Sequence, residues 1–123
     1  MNASDHIGTY AEGWTNGDPL MILKATTDDF VFDDPNAGKI TKSDFVVYFK
    51  ELKNTVDSLR GGIEHPHFMD FTEVVPKSDG DIVTVWCWRA IPGTKIQGSG
   101  LIKATSEGII SERITYYAAR PTS

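Results

Sequence analysis

With 123 residues, 40% of them hydrophobic and 24% charged, the chain has the size and composition of one soluble globular domain spanning 1–123, able to bury a core without metal or disulfide help. The net charge is −5 and the 12 lysines and arginines form no run or stripe, which excludes the electrostatic footprint of a nucleic-acid binder. The lone Cys87 excludes an internal disulfide and reads as a small buried apolar residue, and no apolar run reaches the length of a membrane span or a signal-peptide core, so the expectation is a cytoplasmic protein with no membrane partner.

Ile7, Tyr10, Ala11 and Trp14 recur at the spacing of one helix face, and Asn16-Gly17 supplies the stop after it. Asp18-Pro19 is an N-cap followed by proline in the first turn, which starts a second, short helix through Leu20, Ile22 and Leu23 that ends near Thr26-Thr27. Phe30, Val31 and Phe32 then favour extended backbone, and this strand runs into Asp33, Asp34, Pro35 and a turn at Asn36-Ala37-Gly38. Thr41-Lys42-Ser43-Asp44 reads as a capping box. Behind it Phe45, Tyr48, Phe49, Leu52, Val56 and Leu59 form the apolar stripe of the longest helix, which stops at Gly61-Gly62.

Beyond Gly62 the period changes to two, and turn signals at Pro76–Gly80, Pro92-Gly93 and Ser106–Gly108 divide four strands of an antiparallel meander. The order helix, helix, strand, helix, four strands predicts an α+β architecture in which three helices cover one face of a curved five-stranded sheet. In the strand from Lys95 to Lys103, Ile96, Gly98, Gly100 and Ile102 form the set expected to face the helices. A two-residue turn at Pro92-Gly93 then puts Val83, Val85, Cys87 and Arg89 inside and sends Trp86 and Trp88 outward; a turn one residue longer reverses them. Gly98 and Gly100 either permit a sharp bend or leave room for a cavity, and either reading predicts space between sheet and helices.

Asp34 is the candidate reactive group. Pro35 pushes it out of helical geometry, so its carboxylate is expected at the mouth of whatever the Phe30–Phe32 strand lines. The competing reading is that Asp33 and Asp34 solvate a strand end and start a turn, as most Asp-Pro pairs do.

Three stretches together carry a resemblance: Tyr10-Ala11-Glu12-Gly13-Trp14-Thr15-Asn16-Gly17-Asp18, the strand ending Asp33-Asp34-Pro35, and Gly108-Ile109-Ile110-Ser111-Glu112-Arg113-Ile114-Thr115-Tyr116-Tyr117. In that order they resemble the ketosteroid isomerase and SnoaL-like group of the NTF2-like superfamily, over nearly the whole chain. The resemblance implies an NTF2-like (cystatin-like) cone, with three N-terminal helices on a curved, mostly antiparallel sheet enclosing a cavity. It also implies that Asp34 is a general base and Tyr10 a hydrogen-bond donor to a developing oxyanion. The second donor of those isomerases, a protonated aspartate, falls on Gly100 here, which is a departure from the pattern. The last strand offers partial replacements: Tyr116 as donor and Glu112 as a second buried ionisable group, the alternative for Glu112 being a salt bridge to Arg89 or Arg113. His67 corresponds to the histidine of related dehydratases, though a strand-end histidine beside proline is more often a surface residue. His65, Pro66 and His67 lack a third ligand at a telling spacing, so no metal is expected.

Two functions follow. The first is an enzyme, an isomerase, cyclase or dehydratase, moving a proton on a small apolar carbonyl compound without a cofactor, with Asp34 and Tyr10 catalytic and Trp14, Phe32 and Tyr116 as walls. The second is a non-catalytic binding or scaffold protein of the same fold. The resemblance and an outward Trp86, Trp88 and Leu101 face both imply a homodimer through the sheet.

Overall fold

The computed structural model describes residues 2–117. Helix α1 spans Ala3–Asn16, α2 Pro19–Lys24 and α3 Phe45–Arg60; the strands are β1 Thr26–Asp34, β2 Gly38–Thr41, β3 Asp70–Asp79, β4 Ile82–Ala90, β5 Gln97–Thr105 and β6 Gly108–Ile114. The strands form one curved sheet in the order β2-β1-β6-β5-β4-β3. Among the described residues only β1 and β6 pair in parallel, and the other ladders are antiparallel. This is the expected α+β arrangement, with one strand more than expected.

Local chemistry explains the helices. Asn2 and Asp5 form a reciprocal capping box at the start of α1, and Gly17 ends it in the left-handed region at φ 67. Asp18 Oδ1 accepts from Met21 N at 3.1 Å, so α2 begins one residue after α1 is closed. Gly13 makes that tight corner possible, since a Cβ there would lie 2.7 Å from Ile22 N. At α3 the capping box does not form: Thr41 Oγ1 donates to the Asp44 side chain instead, Lys42–Asp44 make a 3-10 turn, and the α-helix starts at Phe45.

The stretch expected to be only a turn and a cap contains β2, which pairs Ile40 with Phe32 and Gly38 with Asp34. The Pro92-Gly93 turn is also longer than expected. Ala90 pairs with Gln97, leaving Ile91–Ile96 as the connection. Six residues have the same parity as two, so the facing survives: Val85, Cys87 and Arg89 are buried, and Trp86 is 44% exposed on the outer face. Pro76 does not end β3, which runs on to Asp79. As the edge strand β3 needs no donor at that position on its free side.

Between helices and sheet lies an aromatic core. Trp14 is fully buried at its centre, with ring centroids 5.5 Å from Phe32, 5.8 Å from Phe45 and 5.4 Å from Phe49. The space freed by the β5 glycines is taken up largely by neighbouring groups, although Gly98 also lines a small cavity between sheet and helices. A Cβ on Gly98 would run into the Thr115 carbonyl, and one on Gly100 would meet Glu112 Oε2 at 2.6 Å and Arg89 Cδ at 2.9 Å. Their missing side chains are replaced by the end of β6 and by a buried ion pair.

Candidate functional site

Two buried polar groups sit beside one small cavity. Asp34 ends β1 and is 3% exposed. Its Oδ2 accepts hydrogen bonds from Tyr48 Oη at 2.6 Å and Tyr116 Oη at 2.9 Å, and its Oδ1 accepts from Asn36 N at 2.8 Å. The Asn36 bond is the Asx turn that Asp-Pro-Asn favours, so the turn reading is realised, in a carboxylate that is also buried against two phenols. The phenols respond to this setting. Burial, and then the hydrogen bond to Asp34, push the Tyr116 hydroxyl up to about 12 and raise Tyr48 as well.

The second group is a triad reaching across the core. Tyr10 Oη donates to Glu112 Oε1 at 2.5 Å, and Arg89 Nε lies 3.5 Å from Glu112 Oε2. Glu112 and Tyr10 are fully buried and Arg89 is 5% exposed. Burial raises the Glu112 carboxyl above its ordinary range, against the opposing pull of Arg89 and of the Tyr10 hydroxyl. Burial is the largest single influence and would lower Arg89, but Glu112 together with Tyr10, Cys87 and Tyr48 outweighs it, so the guanidinium stays protonated. The pair has poor hydrogen-bond geometry: Arg89 Nε and Nη2 and Glu112 Oε2 find no hydrogen-bond partner among the described residues. Aromatic faces hold the guanidinium instead, with Cζ 4.4 Å from the Trp14 ring centroid, 5.5 Å from Phe71 and 5.7 Å from Phe32.

The cavity lies between Trp14, Phe32, Tyr48, Met69, Arg89 and Tyr116, and its volume is about 20 Å³, room for about one water molecule. Its walls are mostly apolar. Ile96, Gln97 and Tyr116 line both this cavity and an open groove of about 670 Å³ on the outside.

Of the residues singled out in sequence, Trp14, Phe32 and Tyr116 line the cavity, and Asp34 lies behind Tyr48 and Tyr116. Tyr10 is not Asp34's partner: its hydroxyl is committed to Glu112, and it does not line the cavity. Glu112 forms the anticipated ion pair with Arg89, not Arg113, whose Nε lies 3.6 Å from Asp33 Oδ2. His67 is outside the cavity, with a 52% exposed side chain and Nδ1 2.8 Å from Asp70 Oδ1. Tyr48 and Arg89 were missed as site residues. Tyr48 was visible only as a member of the α3 stripe; Arg89 gave a stronger signal, an arginine on an inward register, which requires a buried counter-charge. Among the described residues no group of three or more His, Cys, Asp or Glu side chains is placed to hold a metal, and no helix is long and apolar enough to cross a membrane.

No family model and no curated protein matches the chain. Solved structures do. An NTF2-like protein from Anabaena variabilis shares 15% identity at a TM-score of 0.64, covering 93% of this chain and 85% of that one. A protein from Parabacteroides distasonis provisionally named a ketosteroid isomerase shares 16% at 0.64, covering 90% and 84%. A Catenulispora acidiphila protein with a ketosteroid isomerase-like fold, solved in complex with trimethylamine, shares 20% at 0.61, covering 93% and 86%. The fold is therefore the NTF2-like, cystatin-like fold, as the sequence resemblance implied. Identities this low establish the fold and leave activity to the site itself.

Proposed function

We propose that this chain binds a small, largely apolar carbonyl compound in the Trp14–Tyr48–Tyr116 cavity and moves a proton on it without a cofactor, as an isomerase, cyclase or dehydratase. One observation carries the reading: a carboxylate 3% exposed is held by two phenols that themselves line an apolar cavity. A strand-end aspartate serving only solvation would face water. In the proposed reaction the ligand enters past Ile96 and Gln97 and draws the Tyr116 hydroxyl from Asp34 to its carbonyl oxygen. The freed Asp34 Oδ2 takes the proton from the adjacent carbon and returns it elsewhere on the same molecule, so protons balance and nothing is oxidised. Tyr48 Oη and Asn36 N keep the carboxylate aimed throughout. The oxyanion donor is thus Tyr116, in place of Tyr10. We further place the protein in the cytoplasm as a homodimer paired through the outer sheet face.

The test needs no knowledge of the substrate. In heavy water, proton NMR follows loss of the α-proton signal of small cyclic ketones; the wild type is expected to accelerate it, and Asp34→Asn to abolish the acceleration. No acceleration by the wild type with any ketone that binds would favour the second reading, a non-catalytic binding protein. That reading is favoured by the small cavity volume of about 20 Å³ and by the satisfied state of the Asp34 carboxylate.

A further inference from the structure

The cavity beside Asp34 and the groove outside it differ greatly in size, about 20 Å³ against about 670 Å³. The first has room for about one water molecule, enough for a carbonyl oxygen but not for the body of a ligand. The second has the volume usual for a small-molecule site. Ile96, Gln97 and Tyr116 line both, and Tyr116 is 36% exposed while its hydroxyl reaches the buried Asp34 carboxylate at 2.9 Å. A ligand whose carbonyl is to meet Asp34 beside Tyr116 therefore keeps most of its bulk in the groove.

The chemistry of the groove says what that bulk should be. Leu59, Ile96, Tyr116 and Tyr117 give it largely apolar walls, and among the described residues that line it Lys95 alone is charged. Lys95 is exposed and has no ion-pair or hydrogen-bond partner among the described residues, in a chain of net charge −5. Its loop is braced: Arg60 Nε donates to Pro92 O at 2.9 Å, Ile91 N to Ile96 O at 3.0 Å and Ile96 N to Thr94 Oγ1 at 3.0 Å. The Lys95 backbone is thus held at the groove before any ligand arrives, which lowers the cost of ordering the site.

We propose that the ligand is an oxo acid whose apolar body lies in the groove on Leu59, Ile96 and Tyr117, whose terminal anionic group meets Lys95, and whose carbonyl end enters the cavity as the Tyr116 hydroxyl turns from Asp34 to receive it. Lysine acts as a point charge and imposes no planar geometry, so a carboxylate is the simplest such group. No acidic side chain lines the groove among the described residues, so nothing there opposes the anion at contact. The inference rests on the ligand's carbonyl lying beside Asp34, as in the proposed function, and does not rest on proton transfer.

Calorimetric titration of the full chain with 6-oxoheptanoate and with 2-heptanone, which carries a methyl group in place of the carboxylate, tests it. The wild type is expected to bind the acid about threefold or more tightly, the scale of an exposed ion pair, and the preference should shrink as salt is added. Lys95→Met, a change at an exposed position, should erase the preference while 2-heptanone still binds. Leu59 is 55% exposed and lines the groove but not the cavity, so Leu59→Ser should weaken both compounds about threefold or more, whereas a ligand held in the cavity alone would not sense the change. Asp34→Asn should keep the preference for the acid even as α-proton exchange is lost, which separates failure of this inference from failure of the catalytic one. Equal binding of the two compounds, binding of neither, a preference that survives Lys95→Met, or indifference to Leu59→Ser would each overturn it.

Discussion

At Asp34 the cost of a substitution is set by three converging donors. A desolvated charge with nothing to hold it would be lost without cost to stability, or with a gain, on Asp34→Asn. The geometry reverses that expectation: the amide would offer donors to two phenols that now donate, at a cost of about 2 kcal/mol, read as a lower denaturation midpoint. The same variant should bring the Tyr116 titration partway back from about 12 toward ordinary phenol, with burial retaining the rest of the shift. Tyr10→Phe strips a fully buried acceptor, Glu112 Oε1, of its donor, and should cost about 1–3 kcal/mol. Glu112 also sets a pH slope. Its folded-state carboxyl is raised by burial, so between the ordinary glutamate range and that raised value the folded chain holds more protons than the unfolded one. Stability should therefore fall as pH climbs through this window, and Glu112→Gln should flatten the slope of denaturation free energy against pH; an unchanged slope would contradict the assignment.

Among the elements, the end of β6 depends on a residue with no side chain. Beyond Ile114 the chain stays bound to β5 through Thr115 N to Ser99 O and Tyr117 N to Gln97 O, both 3.0 Å. Gly98 makes room for that segment, and Gly98→Ala would drive a methyl into the Thr115 carbonyl. The expected result is a loss of about 1–3 kcal/mol together with release of Tyr116 from Asp34, seen as a fall in the Tyr116 titration. Helices α1 and α2 were legible because their caps are local: Asn16-Gly17 and Asp18-Pro19 state their roles within a few residues. Strand β2 was not, because Gly38–Thr41 is too short to show alternation and is specified by its partner, the end of β1. The site divides the same way. Asp34 could be found from Asp-Pro, yet its phenols come from positions 14 and 82 residues further along, and helix spacing says only that Tyr48 faces inward. The exchange of Tyr10 for Tyr116 as candidate donor followed from Glu112, whose carboxyl captures the Tyr10 hydroxyl first.

For the whole molecule, the helices cover one face of the sheet and leave the other to solvent. On that outer face Val75 is 57% and Trp86 44% exposed, Trp86 sits opposite Leu101, and the Trp88 ring stacks on Tyr117 at 5.3 Å. A second copy meeting this face about a two-fold axis would cover it with its own equivalent. Sedimentation at micromolar concentration is expected to give a dimer, and Trp86→Lys a folded monomer; a wild-type monomer would refute the pairing. Whether the buried Asp34 carboxylate does chemistry decides between an enzyme and a binding protein. The most direct measurement is the α-proton exchange rate of a bound ketone in heavy water, compared between wild type and Asp34→Asn at equal ligand occupancy. A drop of about 100-fold or more in the variant is predicted, the scale of a lost general base. Equal rates in the two proteins would contradict the claim.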